Sequence, residues 1–215
     1  MIVAIDGPAG AGKSTVAKSL ARHLGLRFLD TGAMYRAVTR EVLRRGLDPT
    51  RNEDCARTAA SLKLEFDAQG KIHIDGAPGE PDIRGGEVTR HVSAVSAHAG
   101  VRDELVGLQR SLAARWGGLV AEGRDMTSVV FPDAEHKFFL IASSLERARR
   151  RACELGTPQA VEEIRADIER RDAFDSTRAL APLVCPPDAL VVDTDGKSVE
   201  DVIALLLGHV RGARA

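Results

Sequence analysis

Short apolar runs alternate with longer amphipathic stretches along most of the chain. A short apolar run between turn residues is typical of a strand buried on both faces, and apolar residues every three or four positions are typical of a helix. The runs predicted as strands are 2–6, 26–29, 118–121, 136–142 and 189–193. The stretches predicted as helices are 13–24, 33–45, 55–62, 87–96, 101–115, 145–155, 160–171 and 199–210. This alternation predicts an α/β fold of three layers, with a five-stranded parallel sheet between helices.

Residues 62–86 have a different pattern. Apolar and polar residues alternate over Leu62–Phe66 and again over Ile72–Asp75, and the residues between them favour a turn. Two alternating runs joined in this way predict an antiparallel hairpin. Residues 76–81 are rich in Gly and Pro and are predicted as a loop. We therefore expect an inserted lobe with a small antiparallel sheet at 62–86.

Composition and charge exclude two classes of partner. Hydrophobic residues make up 44% and charged residues 28% of the 215 residues, and the formal net charge is -1. A chain with no overall positive charge lacks the field that draws nucleic acid or an anionic membrane surface. Two Arg-rich stretches, 147–151 and 165–178, stand out. Such runs are either solvated helix faces or parts of an anion site.

The cysteines and the chain ends bear on location. Cys55, Cys153 and Cys185 are far apart and lack metal-ligand spacing, so we expect three free thiols and a reducing compartment. The chain enters its first strand without a basic leader, and no apolar run approaches the ~20 residues of a membrane span. We expect a cytoplasmic protein without a membrane partner.

The first strand runs into a phosphate-binding motif. Gly7 is followed after four residues by Gly12-Lys13-Ser14, between a predicted strand and a predicted helix, as in a P-loop. Glycines in such a loop let backbone N–H groups point at phosphate oxygens, and the helix N-terminus adds a favourable dipole. Lys13 is expected to reach the β- and γ-phosphates of ATP and Ser14 to bind Mg²⁺. The residues predicted to bind ATP here are Gly7, Pro8, Ala9, Gly10, Ala11, Gly12, Lys13, Ser14 and Thr15.

Other motifs narrow the choice among P-loop proteins. The Asn-Lys-x-Asp motif that reads guanine in GTPases is absent from the sequence. The strand ending at Glu122 continues into Gly123-Arg124-Asp125 rather than into the acidic pair of motor ATPases. An Arg beside two acids at a strand end suits a second, substrate phosphate. Small-molecule kinases are therefore favoured.

Three further motifs resemble those of the bacterial cytidylate kinase family, in order and spacing, over residues 2 to about 205. They are Asp30–Arg36 (DTGAMYR), Glu122–Met126 (EGRDM) with Val129–Pro132, and Arg171-Asp172 to Asp175 with Arg178 and Ala181–Leu183. The resemblance implies a P-loop nucleoside monophosphate kinase that uses ATP and Mg²⁺ to phosphorylate CMP and dCMP. Because the acceptor phosphate is already anionic, such a reaction needs charge neutralisation and alignment rather than a general base.

The resemblance also implies roles for individual residues. Arg36 and Arg124, with Arg178, would bind the CMP phosphate, and Arg171 and Asp175 would meet the ribose. Asp125 would accept from the cytosine amine, with Ser93 and Arg102 completing the base site. Thr31, a hydroxyl residue where many relatives have Ser, is included among the substrate-binding residues. The implied catalytic residues are Lys13, Arg124, Arg171 and Arg178.

The Arg-rich helix after the fourth strand is expected to belong to a lid that closes over ATP. Arg147 and Arg151 share one face of this predicted helix and are expected to bind ATP. Arg150 lies beside Arg147, and the sequence does not decide which of the three faces inward.

The predicted single kinase domain, 1–215, has its core at about 1–60, 116–145 and 180–215, a monophosphate-binding lobe at about 32–105 and a lid at about 146–178. Because closure of two lobes needs no partner subunit, a monomer is expected.

Two other functions fit parts of the sequence. One is a kinase on the same scaffold for a shikimate-, gluconate- or thymidylate-like substrate, and the other is a regulator that binds nucleotide without turnover. A substrate panel would distinguish the other kinase, and an ADP-release assay with and without CMP would distinguish the regulator. For the base, uracil would present a carbonyl to the Asp125 carboxylate and leave both acceptors unpaired. We therefore expect UMP to be a poor substrate.

Overall fold

A five-stranded parallel sheet forms the centre of the computed structural model, which describes residues 1–212. Its strands lie in the order β2-β6-β1-β7-β8. Their bounds are β1 Ile2–Asp6, β2 Arg27–Asp30, β6 Leu119–Glu122, β7 His136–Ile141 and β8 Leu190–Asp193. Eight α-helices accompany the described strands: α1 Lys13–Leu24, α2 Thr31–Arg44, α3 Asn52–Ser61, α4 Gly86–Ser96, α5 Ala99–Trp116, α6 Ser144–Leu155, α7 Val161–Thr177 and α8 Val199–Gly212. The predicted α/β class and five-stranded parallel sheet are confirmed.

The core has one hydrophobic layer on each face of the sheet. On one face Met34 of α2 and Leu105 of α5 pack against the sheet. On the other face Leu20 of α1 and Leu206 of α8 pack around Phe138 of β7. Burying both faces explains why the strands are continuous apolar runs. It also leaves the strand ends as the only parts of the sheet free to carry polar groups.

A small antiparallel sheet, β3 Leu64–Phe66, β4 Ile72–Ile74 and β5 Ala77–Pro78, forms the inserted lobe. The first two strands are the predicted hairpin. The third is a correction, because residues 76–81 were predicted as a loop. Proline at an edge position leaves an antiparallel pairing intact, so the Gly- and Pro-rich sequence hid a two-residue strand.

The hairpin is tied to the central sheet rather than standing apart from it. Arg27 of β2 donates to the carbonyl oxygens of Phe66 and Asp67 at 3.0 and 2.9 Å. Its guanidinium lies 4.3 Å from the ring centre of Trp116, which also packs edge-on against Phe66. These contacts fix the base of the insertion to the core.

Several helix ends differ from the predicted bounds. Helix α7 was predicted to end at residue 171 and continues to Thr177, with Arg178 as its cap. Helix α7 ends where the backbone turns back, and the Leu183 N–H donates to the Asp175 backbone carbonyl at 2.8 Å.

Of the predicted core, residues 213–215 lie outside the described residues. Within the described residues, no helix has the length and apolar character needed to cross a bilayer.

A buried carboxylate joins the end of β1 to the segment after β6. Asp6 is 0% exposed and accepts from the backbone N–H groups of Met126 and Thr127 at 2.9 and 2.7 Å. The Thr127 hydroxyl donates to the same carboxylate at 2.6 Å. Burial raises the pKa of Asp6 to about 6, and the hydrogen bonds from Thr127 act in the opposite direction. The contact fixes residues 126–130, which form a wide helical turn directly after Asp125.

We expect Thr127→Val to lower the free energy of unfolding by about 1–3 kcal/mol at pH 8, because it removes a hydrogen bond to a buried ionised group. The loss should be smaller at pH 5, where Asp6 is protonated and the hydroxyl faces a neutral acid. Urea unfolding at both pH values measures it.

Thr58→Val is the matched control, since the buried Thr58 hydroxyl donates to the backbone carbonyl of Asp54, a neutral group, at 2.8 Å. It should cost less than Thr127→Val at pH 8 and show no such pH dependence. Equal losses for both variants at both pH values would contradict the role given to Asp6.

Candidate active site

A cleft of about 1010 Å³ opens at the carboxyl edge of the central sheet. The P-loop forms its floor, α4 lies on one side, and α6 and α7 lie on the other. Ligands of open α/β sheets bind at this edge because the loops that follow parallel strands gather there. The cleft brings together the P-loop and most of the arginines singled out in the sequence.

The P-loop has the tight backbone that its glycines predict. Gly7 has φ 147°, and a Cβ there would lie 2.1 Å from the Leu140 carbonyl oxygen of β7. Gly12 has φ 82° and precedes α1, whose first turn has no side-chain cap. The free N–H groups of this turn therefore face the cleft, as in other phosphate-binding helix starts.

Lys13 is buried at the start of α1. Its Nζ donates to the Pro8 carbonyl oxygen at 2.7 Å, so the ammonium is held across its own loop. Burial and the positive charge of Arg124 lower the pKa of Lys13 to about 7, and the charge of Glu122 opposes this shift. A phosphate at the loop would supply the negative charge that this ammonium lacks.

Oxygen groups beside Lys13 suit a magnesium ion. The Ser14 hydroxyl donates to the Glu122 carboxylate, and the Thr31 hydroxyl donates to the Glu122 backbone carbonyl at 2.6 Å. Burial and the nearby Asp30 carboxylate raise the pKa of Glu122. The Glu122 carboxyl group is costly to ionise, and it lies beside a serine hydroxyl and a second acid. A hydrated divalent cation would stabilise the ionised form, so these groups fit a magnesium site. The sequence predicted Ser14 as the metal ligand.

Eight arginines of the described residues line the cleft beyond the P-loop, and four of them come from the acceptor side: Arg36, Arg84, Arg124 and Arg171. Burial and the charges of Arg171 and Arg84 lower the pKa of Arg36 to about 9. Burial and the charge of Arg124 lower that of Arg171 to about 10. These shifts record an excess of positive charge in a partly dry site, which favours a strongly anionic ligand. Arg84 was not singled out from the sequence.

Asp175 organises two of these arginines. Its carboxylate accepts from Arg124 Nε at 3.0 Å and lies 3.9 Å from Arg171 Nε. Since α7 extends through Asp175, Arg171 and Asp175 lie on the same helix, as their spacing suggested, whereas Arg178 is its C-cap. Arg178 instead donates to the Ala181 carbonyl and, at 3.2 Å, to the Ser96 hydroxyl of α4.

The residues expected at the base lie deeper. Arg102 of α5 and Asp125 form an almost fully buried ion pair. The Arg102 guanidinium lies 5.8 Å from the ring centre of Tyr35, and its Nη1 donates to the Ser96 carbonyl at 3.4 Å. Ser93 faces the cleft from α4. The paired charges hold each other in place.

The three lid arginines are placed differently. Arg147 is buried, donates to the carbonyl oxygens of Ala142 and Ala9 at 3.0 and 2.9 Å, and pairs with Asp172 at 2.6 Å. It supports the P-loop from behind rather than lining the cleft. Arg150 and Arg151 do line the cleft. Arg150 donates to the hydroxyl and the backbone carbonyl of Thr194 at 3.0 and 2.7 Å. Helical spacing alone did not show which of the three arginines would face the cleft.

We expect ATP to bind with uptake of about one proton at pH 8 and much less at pH 6. The free protein has a Lys13 pKa near 7, so most Lys13 is neutral at pH 8; the phosphates raise that pKa and recharge it. Calorimetry in two buffers of different ionisation enthalpy measures the uptake. Lys13→Met should abolish it, and the same uptake in that variant would contradict the assignment.

Comparisons with known proteins identify the family of the chain. The cytidylate kinase family model matches residues 3–212. The chain is 48% identical to the cytidylate kinase of Mycolicibacterium paratuberculosis (strain ATCC BAA-968 / K-10), over 98% of this chain and 95% of that protein. It is 42% identical to the cytidylate kinase of Clostridioides difficile (strain 630), over 98% of each.

Solved structures show the same fold at low identity. A gluconokinase from Sinorhizobium meliloti 1021 aligns with a TM-score of 0.50 at 14% identity, over 99% of this chain and 93% of that one. An uncharacterized protein from Eubacterium ventriosum ATCC 27560 aligns at 0.55 and 12% identity, over 98% of each chain. These likenesses concern the fold alone, whereas the sequence match spans nearly every residue. The chain belongs to the cytidylate kinase family.

Proposed function

We propose that the cleft transfers the γ-phosphoryl group of ATP to CMP and dCMP, giving ADP with CDP or dCDP. The observation that carries this proposal is the presence of two separate sets of cations in one cleft. Lys13 and the P-loop form one set, and Arg36, Arg124 and Arg171 form the other. A reaction between two phosphate groups needs both sets, facing each other.

The donor side would hold MgATP. Residues 7–15 would bind the phosphates through backbone N–H groups, and Lys13 would leave the Pro8 carbonyl for the β- and γ-phosphates. Ser14 would bind Mg²⁺, with Glu122 beside it. When bound, the ion neutralises charge on the phosphates and aligns them. Of the lid arginines, Arg150 and Arg151 are the ones placed to meet ATP, while Arg147 supports the loop.

The acceptor side would hold the phosphate of CMP. Arg36 and Arg124 present fixed, permanently charged donors, and two such groups suit the oxygens of one phosphate. Asp175 orients Arg124 and Arg171 and has a further oxygen for a ribose hydroxyl. Because the acceptor is already an anion, these residues need only screen its repulsion with ATP and align it.

The base would be read by the buried pair. Asp125 would accept from the cytosine amine, as carboxylates do when they read cytosine in DNA, and Arg102 would donate to the ring carbonyl and N3. Arg102 and Asp125 pair with each other. Cytosine would offer its amine to the Asp125 carboxylate, so one donor would replace another. Uracil would instead place a carbonyl, which can only accept, against the carboxylate.

Lobe closure would exclude water from the reaction. We propose the lobe at about 32–105 and the lid at about 146–178 as the moving parts, acting within a monomer in the cytoplasm. Arg178 already joins the end of α7 to Ser96 of α4. Exclusion of water protects the γ-phosphoryl group from hydrolysis and strengthens every charge interaction in the cleft.

The direct experiment is ADP release, measured with CMP, dCMP, UMP, AMP and dTMP as acceptors. CMP and dCMP should stimulate release and the others should not. Stimulation by a non-nucleotide acceptor such as gluconate in place of CMP would favour another kinase on this scaffold. Tight ATP binding without stimulated release would favour a regulator.

Lys13→Met should leave the fold intact and lower kcat by orders of magnitude, because the side chain keeps its length and loses the charge that the transferring phosphoryl group needs. Steady-state kinetics with CMP measure the loss. Lys18→Met, on the same helix outside the cleft, is the control and should turn over normally. Near-normal kcat in Lys13→Met would refute the assignment.

Asp125→Asn should lower the CMP-to-UMP ratio of kcat/KM by at least about tenfold. The amide can donate to uracil, whereas the carboxylate can only accept. The ratio is the informative quantity, because leaving Arg102 without its partner slows the variant with both substrates. An unchanged ratio would remove Asp125 from base selection.

A further inference from the structure

Helix α4 presents two hydroxyl residues to the cleft, and the proposed function uses only one of them. Thr89 and Ser93 both line the cleft and are four residues apart, so they lie on one face of the helix about 6 Å apart along its axis. A neighbouring face packs Val88, Val92 and Val95 into the core. Ser93 lies toward the base site. Thr89 lies at the other end, beside the arginines.

Thr89 makes the closest contact of Arg36. The Arg36 Nη1 donates to the Thr89 hydroxyl oxygen at 2.8 Å, and a longer contact of 3.4 Å reaches the Ile83 carbonyl oxygen. Arg36 belongs to α2 and Thr89 to α4, so the bond joins two elements across 53 residues. A flexible arginine side chain is thereby held in one direction.

Both partners of Arg36 are neutral. Within the described residues 1–212, no carboxylate pairs with Arg36. Its neighbour Arg84 differs, because it pairs with Asp30 at 2.7 Å and with Glu80 at 2.9 Å. The other Asp30 oxygen accepts from Ala33 N–H at 2.9 Å. Arg84 and the start of α2 thus occupy the acid that would otherwise neutralise Arg36.

A neutral acceptor has a particular advantage here. A carboxylate would orient Arg36 and also cancel its charge, so an incoming phosphate would have to displace it. The Thr89 hydroxyl fixes the direction and leaves the charge available. A hydroxyl that accepts one bond still has its own proton to donate, and no acceptor for it is recorded among the described residues. A phosphate held by Arg36 would lie beside this hydroxyl.

We propose that Thr89 is a positioning residue for the acceptor phosphate: its hydroxyl orients Arg36 and donates to the phosphate that Arg36 binds. The inference rests on the proposed function, because it gives Arg36 a nucleotide monophosphate as its ligand. It places the phosphate end and the base end of the acceptor along one face of α4.

The test is the kinetics of Thr89→Val and Thr89→Ser. The valine variant keeps the shape and loses the hydroxyl, so KM for CMP should rise about 3–10-fold, in line with the loss of a hydrogen bond near a charge, while KM for ATP stays unchanged. Serine should restore KM for CMP to near the wild-type value. A purely structural role would not give this split between the two substrates.

Two further variants make the result specific. Thr39→Val removes a hydroxyl on the helix of Arg36 that bonds only to the Tyr35 carbonyl, and it should leave both KM values unchanged. In an Arg36→Lys background, Thr89→Val should raise KM for CMP by a smaller factor than in the wild type, because only the direct bond to the phosphate is then lost. Full additivity of the two changes would overturn the proposal.

The remaining outcomes separate this inference from the proposed function. If wild-type protein shows CMP-dependent ADP release and Thr89→Val has the same KM for CMP, the role of Thr89 is wrong and the function stands. If wild-type protein shows no CMP-dependent release, the function itself is wrong and the role of Thr89 falls with it. Thermal unfolding of Thr89→Val checks that the fold is kept; should valine unfold the protein, Thr89→Ala gives the same comparison.

Discussion

The carboxylate of Asp6 is the contact on which the arrangement of the cleft depends. It is the last residue of β1, immediately before the P-loop, and it binds the backbone just beyond Asp125. One buried group thus fixes the donor loop relative to the segment that carries Arg124 and Asp125. Buried carboxylates are costly, and this one is retained with three donors around it. Thr127 provides the third donor through its side chain.

Around this fixed point the protein holds cations without neutralising all of them. Asp175 orients Arg124, and Asp30 occupies Arg84, whereas Arg36 and Lys13 are held by neutral oxygens. The lowered pKa values of Lys13 and Arg36 record the cost of this arrangement. Two phosphate groups relieve that cost, one from each substrate. The electrostatics that lower these pKa values therefore favour the pair of anions that must react.

The sequence alone predicted the sheet, its helices and the P-loop, because periodicity and glycine spacing report local structure directly. It missed the strand at Ala77–Pro78, which depends on pairing with β4. It also missed Arg84, Glu122 as the partner of Ser14, and Thr89, since these contacts join residues 53 to 108 positions apart. The sequence could not show which of Arg147 and Arg150 faces the cleft, because both lie within one turn of the same helix. Their contacts decide it: Arg147 donates to the Ala9 carbonyl and Arg150 to Thr194.

The central claim is that the γ-phosphoryl group passes from ATP to a cytidine monophosphate held by the second set of cations. Phosphorus NMR of the protein with MgATP and CMP tests it most directly, because ATP, CMP, the nucleoside diphosphates and inorganic phosphate give separate resonances. The account predicts that CDP and ADP form in equal amounts with no early inorganic phosphate. Formation of ADP with inorganic phosphate and unchanged CMP would contradict it, since water rather than CMP would then be the acceptor.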